Sequence, residues 1–243
     1  DTVSIGGQEY KVTDDNTVIK VGDNGPELLS GGIELDGDSS IVVGNTEVKA
    51  DEEGGLSIEK NAEGGLDIKV PQGGTFVVET PGNTSTDIVF SNPTQEEIVY
   101  EIAPTGGIIL PAGTETVCKH ADEEITVKSE QEGTVITPST EGVTVTTPKD
   151  TTVEINGQTY TNESDGKQLE LSVEGDEVIL KRGNVSVEEG GDITLYNGDR
   201  VSVNEGEASV DENGNIEVKK DTQVTISDDG EDTVIKAVEE DTR

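Results

Sequence analysis

From Asn184 onward the chain returns to one short phrase about every eight residues. The phrases are Val185-Ser186-Val187, Ile193-Thr194-Leu195, Val201-Ser202-Val203, Ala208-Ser209-Val210, Ile216-Glu217-Val218 and Val224-Thr225-Ile226. Most of the gaps hold Gly, Asn or Asp, as in Tyr196-Asn197-Gly198-Asp199 and Asp211-Glu212-Asn213-Gly214. Apolar side chains at period two with turn formers between them specify short strands and bends, and they exclude an amphipathic helix.

Taken in threes, the triplets recur at a shift of about 23 residues, which sets Val185, Ile193 and Val201 against Ala208, Ile216 and Val224. That is the length of one coil of a parallel β-solenoid, in which stacked coils bury a narrow aliphatic core. An antiparallel meander or sandwich is the competing arrangement, because Asn197-Gly198 and Asn213-Gly214 are two-residue hairpin turns. The expected fold class is all-β: a solenoid-like stack of short strands, with two or more β-sandwich domains as the alternative.

An earlier phrase also returns. Thr2-Val3-Ser4-Ile5-Gly6-Gly7-Gln8-Glu9-Tyr10 reappears as Thr152-Val153-Glu154-Ile155-Asn156-Gly157-Gln158-Thr159-Tyr160. Thr146-Thr147-Pro148-Lys149-Asp150 reads as a turn or linker, so the expected division is an N-terminal module over 1–148 and a C-terminal repeat module over 149–243. Between Gly31 and Val78, Gly-Gly followed by an apolar pair recurs, as in Gly54-Gly55-Leu56 and Gly64-Gly65-Leu66, at uneven spacing. From about 74 to 128 the runs grow longer and more apolar, as in Ile98-Val99-Tyr100-Glu101-Ile102, which fits a small sandwich segment.

Composition bears on the core and on the partners. The hydrophobic fraction is 30% and aromatics make up only 2%, so the core must be thin and aliphatic. With 53 acidic against 16 basic residues the formal charge is -37, which repels nucleic acid; arginine occurs only as Arg182, Arg200 and Arg243. No apolar run reaches membrane-spanning length, so no membrane insertion is expected. Cys118 is the one cysteine, which excludes a disulfide within the chain. A chain that starts at Asp1 and lacks methionine reads as a mature product after signal removal, or as an excised fragment.

Little in the sequence carries chemistry. Cys118 and His120 share a strand face, but a zinc site needs three or four ligands and no other Cys or His exists. Acidic turns supply the oxygen ligands that calcium prefers: Asp36 and Asp38, Asp211 and Asn213, and Asp228, Asp229 and Asp232. Neither the helix-loop-helix calcium spacing nor the glycine-rich nonapeptide of β-rolls is present, so a solvated hairpin tip competes at each. No cofactor is expected, with calcium as the one ion these turns could take. Asn83, Asn162 and Asn184 begin N-glycosylation triplets. No nucleophile elbow surrounds the single histidine, and carboxylate pairs are too common here to mark a hydrolase. The expected function is a non-enzymatic extracellular structural protein, a self-assembling subunit of a cell-surface layer, sheath or filament. The alternative is an adhesin or carbohydrate-binding module that uses calcium.

Overall fold

The computed structural model describes residues 1–37, 39–51 and 55–237, and among these the chain is all-β, with no helix. Gly54 lies outside the described residues. The contacts divide the chain into two compact units. The first holds Asp1–Pro111, Glu115–Glu124 and Val135–Val143; the second holds Ala112–Thr114, Ile125–Thr134 and Thr144–Arg243.

The strands begin with β1 (Thr2–Ile5), β2 (Gln8–Val12), β3 (Val18–Gly22), β4 (Gly25–Ser30), β5 (Gly32–Leu35) and β6 (Ser40–Val43). They continue with β7 (Thr46–Ala50), β8 (Leu56–Lys60), β9 (Leu66–Val70), β10 (Thr75–Thr80), β11 (Asn83–Ser91) and β12 (Ile98–Ile102). Next come β13 (Ile108–Ile109), β14 (Thr116–His120), β15 (Glu123–Ser129), β16 (Val135–Pro138) and β17 (Val143–Thr147). After them stand β18 (Thr152–Ile155), β19 (Gln158–Asn162), β20 (Leu169–Glu174), β21 (Glu177–Arg182), β22 (Asn184–Glu188) and β23 (Asp192–Thr194). The last are β24 (Arg200–Glu205), β25 (Glu207–Asp211), β26 (Ile216–Val218), β27 (Gln223–Asp228) and β28 (Glu231–Lys236).

In the first unit one sheet runs β1-β2-β5-β8-β9-β12-β13-β16 and the other β3-β4-β6-β7-β10-β11-β14. In the second, one runs β17-β20-β21-β23-β24-β27-β28 and the other β15-β18-β19-β22-β25-β26. The chain therefore lays a hairpin or single strand on one sheet, crosses to the other, and returns. Each visit adds its strand to the edge left by the previous visit. Pairing is antiparallel, apart from one parallel bridge in each unit, Glu27↔Val42 and Ile179↔Thr194.

The register of the C-terminal triplets follows from this. Val185 faces Val210, Val187 faces Ala208, and Val203 faces Val224, all antiparallel. The recurrence of about 23 residues is thus the interval between successive visits to one sheet, and the parallel alignment of Val185 with Ala208 is not the register formed. Two-residue turns set the antiparallel direction inside three of the hairpins, β1–β2, β18–β19 and β27–β28. Gly6-Gly7, Asn156-Gly157 and Asp229-Gly230 all have positive φ at both positions, the geometry that reverses a strand into a tight hairpin.

Alternation places one face of each strand in the core. β7, β9 and β17 share the pattern buried, half-buried, buried, half-buried, buried. Val, Ile and Leu fill most of that core, as the low aromatic content requires. The large rings of the middle segment cluster in the first unit. Phe76 and Phe90 stack at 5.3 Å on one sheet, and Tyr100 of the other sheet lies 5.3 Å from Phe76, so the sheets meet face to face there.

The repeated phrase is a repeated structure. Hairpin β1–β2 pairs Val3↔Tyr10 and Ile5↔Gln8, and β18–β19 pairs Val153↔Tyr160 and Ile155↔Gln158. The correspondence continues. Val18↔Ser30, with a bulge before Ile19, recurs as Glu170↔Arg182 with a bulge before Leu171. Gly32↔Glu59 recurs as Asn184↔Asp211, and Phe76↔Phe90 as Val224↔Ile235. Strands β1–β11 and β18–β28 are two copies of one eleven-strand pattern.

Both copies carry the same clasp. The Tyr160 hydroxyl reaches Gln158 Oε1 and the Asp192 carbonyl, each at 2.6 Å, and the Asp192 N–H donates to Gln158 Oε1 at 3.0 Å. In the first copy Tyr10 reaches Gln8 Oε1 and the Ser40 carbonyl, and the Ser40 N–H donates to Gln8. Each clasp ties a hairpin of one sheet to the start of a strand in the other. A second shared device follows Gly31 and Gly183, where a Cβ would stand 2.5 Å from the hydroxyl of Thr17 or Ser164. That hydroxyl accepts the N–H of the next residue, Gly32 or Asn184.

Gln158→Leu leaves the Asp192 N–H without its acceptor and should cost about 1–3 kcal/mol, with Tyr160→Phe costing about 1 kcal/mol. Both should appear as a lowered denaturant midpoint. Equal midpoints for parent and variants would remove the clasp from the account of stability.

Candidate functional site

A buried carboxylate with an ion-pair partner lies on the β10–β11 hairpin. Beside a register shift between Val78 and Thr80, the Glu79 side chain is only 1% exposed and lies against Asp87. Glu79 Oε1 accepts from Lys49 Nζ at 2.6 Å. Glu79 Oε2 and Asp87 Oδ1 are both buried and neither finds a protein donor, so Glu79 holds a proton more readily than a solvated carboxyl does. Burial, and then the contact with Asp87, hold the Glu79 carboxyl above its ordinary range against the pull of Lys49. On Lys49 burial pulls downward, but Glu79, then Glu47 and Asp87, carry its ammonium above the usual value. Carboxyls in direct contact leave no room for the sugar ring or water that a glycosidase places between its pair.

Three clefts open in the second unit. One of about 190 Å³ is lined by Leu180, Leu195, Tyr196, Asn197 and the 211–214 turn, with Tyr196 83% exposed. One of about 250 Å³ lies by Glu163, Asp165, Lys167 and the same turn. The third, about 270 Å³, is flanked by Asp176, Glu177, Asp192 and Arg200. All are smaller than the usual pocket for an organic ligand, about 300–1,000 Å³.

Asp36, Asp211 and Asp232, expected among the calcium ligands, each accept hydrogen bonds from nearby residues. Asp36 Oδ1 accepts from the buried Ser39 hydroxyl; Asp38 lies outside the described residues. Asp211 Oδ1 accepts the N–H groups of Asn213 and Asn215 and its Oδ2 the Asn215 amide, so Asn215 above all holds its carboxyl below the ordinary range. Asn213 contributes its backbone N–H there and lines the first two clefts. Asp228 and Asp229 sit at the tip of the β27–β28 hairpin, and Asp232 accepts from Ser227 across it. The structure brings none of these turns together. Among the described residues no three His, Cys, Asp or Glu side chains are grouped as a metal would need.

The remaining expected groups are placed as follows. Cys118 is buried in β14, and burial, then Glu124, push its thiol up to about 12, which keeps it protonated and inert. His120 Nε2 lies 3.3 Å from the Ser85 carbonyl. Asn162 is fully buried, with its amide donating to the carbonyls of Thr147, Pro148 and Lys167, so the folded chain withholds it from glycosylation. No protein-family description, curated protein or solved structure matches this chain at a significant level.

The Glu79 proton has a pH consequence. A carboxyl whose folded-state pKa is raised holds its proton better folded than unfolded, so its contribution to stability is full in acid and lost as pH rises through the raised value. Glu79→Gln mimics the protonated form. It should flatten the decline of melting temperature as pH rises above the ordinary glutamate range, and an unchanged decline would remove Glu79 as its source.

Proposed function

We propose that this chain is a non-enzymatic extracellular structural protein, a self-assembling subunit of a cell-surface layer, sheath or filament, and that its stacked hairpins form a solenoid-like array. One observation carries the reading: exposed large apolar side chains gather on the strands that end the sheets. Val3 stands on β1, Val18 and Val21 on β3, and Val234 and Ile235 on β28. Soluble proteins ordinarily blunt such edges with charge, proline or a covering loop, because an open edge pairs with another strand.

The small clefts and the structural use of the acidic turns support a scaffold over a ligand-binding module. So does the clasp, which spends the conspicuous polar side chains of the repeat on joining sheets. Charge opposes assembly. At -37 the copies repel one another until salt shortens the screening length, which is about 10 Å at 0.1 M.

Light scattering with electron microscopy tests the reading. Particles are expected to grow as sodium chloride is raised, with calcium acting no differently from sodium chloride at equal ionic strength. A monodisperse monomer at high protein concentration in every salt would overturn the structural reading. A monomer that gains a ligand only with calcium would favour the adhesin.

A further inference from the structure

The eleven-strand pattern occurs twice, so each strand that ends a sheet has a counterpart inside the chain whose outer edge is filled. β1 corresponds to β18, which pairs on its outer side with β15 through Ser129↔Val153 and Val127↔Ile155. β28 corresponds to β11, which pairs with β14 through Phe90↔Cys118. β26 corresponds to β9, which pairs with β12 through Ile68↔Tyr100 and Val70↔Ile98. β3 corresponds to β20, whose outer neighbour is β17.

Burial follows the same division. Val3 is 41% exposed and its counterpart Val153 is 0%; Val21 is 67% exposed and Val173 is 0%. Ile235 is 38% exposed and Phe90 is 0%. Ile216 and Val218 are half-buried where Ile68 and Val70 are fully buried. Val3, Val21 and Ile235 on the open edges thus occupy positions that another strand of the same pattern covers elsewhere. A substituent with the chemistry of this chain's own hairpins therefore fits them.

We infer that the open edges take a second copy of this chain, head to tail, with β1 of one copy pairing on β26 of the next and β3 pairing on β28. This rests on the structural reading above and specifies its contact. The assignment of strands comes from the order of laying down. Within each unit consecutive hairpins alternate between the two sheets, and each adds beside the one laid two steps earlier. The hairpin that follows β27–β28 therefore belongs beside β26, and the one after it beside β28. In an incoming copy those hairpins are β1–β2 and β3–β4. The contact then joins Val3 and Ile5 to Ile216 and Val218, and sets Val21 and Ile235 on one face of the β3–β28 pair. Main-chain hydrogen bonds supply affinity in such strand addition, and alternate side chains supply register.

The test uses the whole chain in the salt at which it assembles. Val21→Cys and Ile235→Cys, which lie on the same face, are made in separate chains, mixed and oxidised; Cys118 is buried and stays out of reach. The mixed disulfide between the two variants should exceed both homotypic products and the share that random collision gives. A capped chain carrying Val234→Lys and Ile235→Lys should remain monomeric, melt close to the parent because both sites are exposed, and shorten the parent's polymers when added in small amounts. Polymers that form with homotypic crosslinks in excess, or from the capped chain as readily as from the parent, would overturn the head-to-tail contact and leave the structural reading standing. A parent that stays monomeric would overturn both.

Discussion

Strands inside the sheets depend on neighbours laid down one visit earlier or later on the same sheet. The strands are short, three to six residues in most cases, and a single hairpin of that length does not hold together in water. Stability has to come from repetition. Each hairpin lends its open edge to the next visit of the chain and its apolar face to the opposite sheet, so a thin core of Val, Ile and Leu is extended strand by strand. Large rings are needed only where Phe76, Phe90 and Tyr100 meet.

The same rule places the polar chemistry. Gln158 and Tyr160 lie on one sheet and bind both main-chain groups of Asp192, the first residue of a strand on the other. Gln8, Tyr10 and Ser40 repeat that arrangement. Hydroxyls of Thr17 and Ser164 receive the main chain where it leaves a glycine that has no room for a Cβ. Side chains that might elsewhere face a substrate are here directed at crossings between sheets. Most acidic residues stay outside, where they solvate the surface and set copies apart; Glu79 is buried instead, and burial raises its affinity for a proton.

Much of this was legible in the residue order. Val-Ser-Val and its kin announced strands, and Gly6-Gly7 and Asn156-Gly157 announced hairpin tips, because only a few residues accept positive φ at two successive positions. The return of Val3-to-Tyr10 as Val153-to-Tyr160 marked a duplication. Its extent through β11 and β28 was hidden, since aliphatic residues exchange freely in a core and turns of different length blur the alignment: Phe90 is matched by Ile235. The Glu79–Asp87 pair was illegible, because one carboxylate among 53 acidic residues carries no mark of burial. Asp36, Asp211 and Asp232 stood out in the sequence as oxygen-rich turn residues, but their hydrogen bonds to Ser39, Asn215 and Ser227 could be read only from the fold.

Alternating aliphatic residues and turn formers by themselves determined that the chain makes short strands, that it cannot make helices, and that its surface is strongly acidic. Only the tertiary structure decided the direction and order of pairing, the sheet each hairpin joins, and the edges left open. A period of two is the same for a parallel and an antiparallel strand, and an apolar face records that something covers it without recording what. The partner is chosen by turn geometry and by residues such as Asp192, which stands far along the chain from the Tyr160 that binds it.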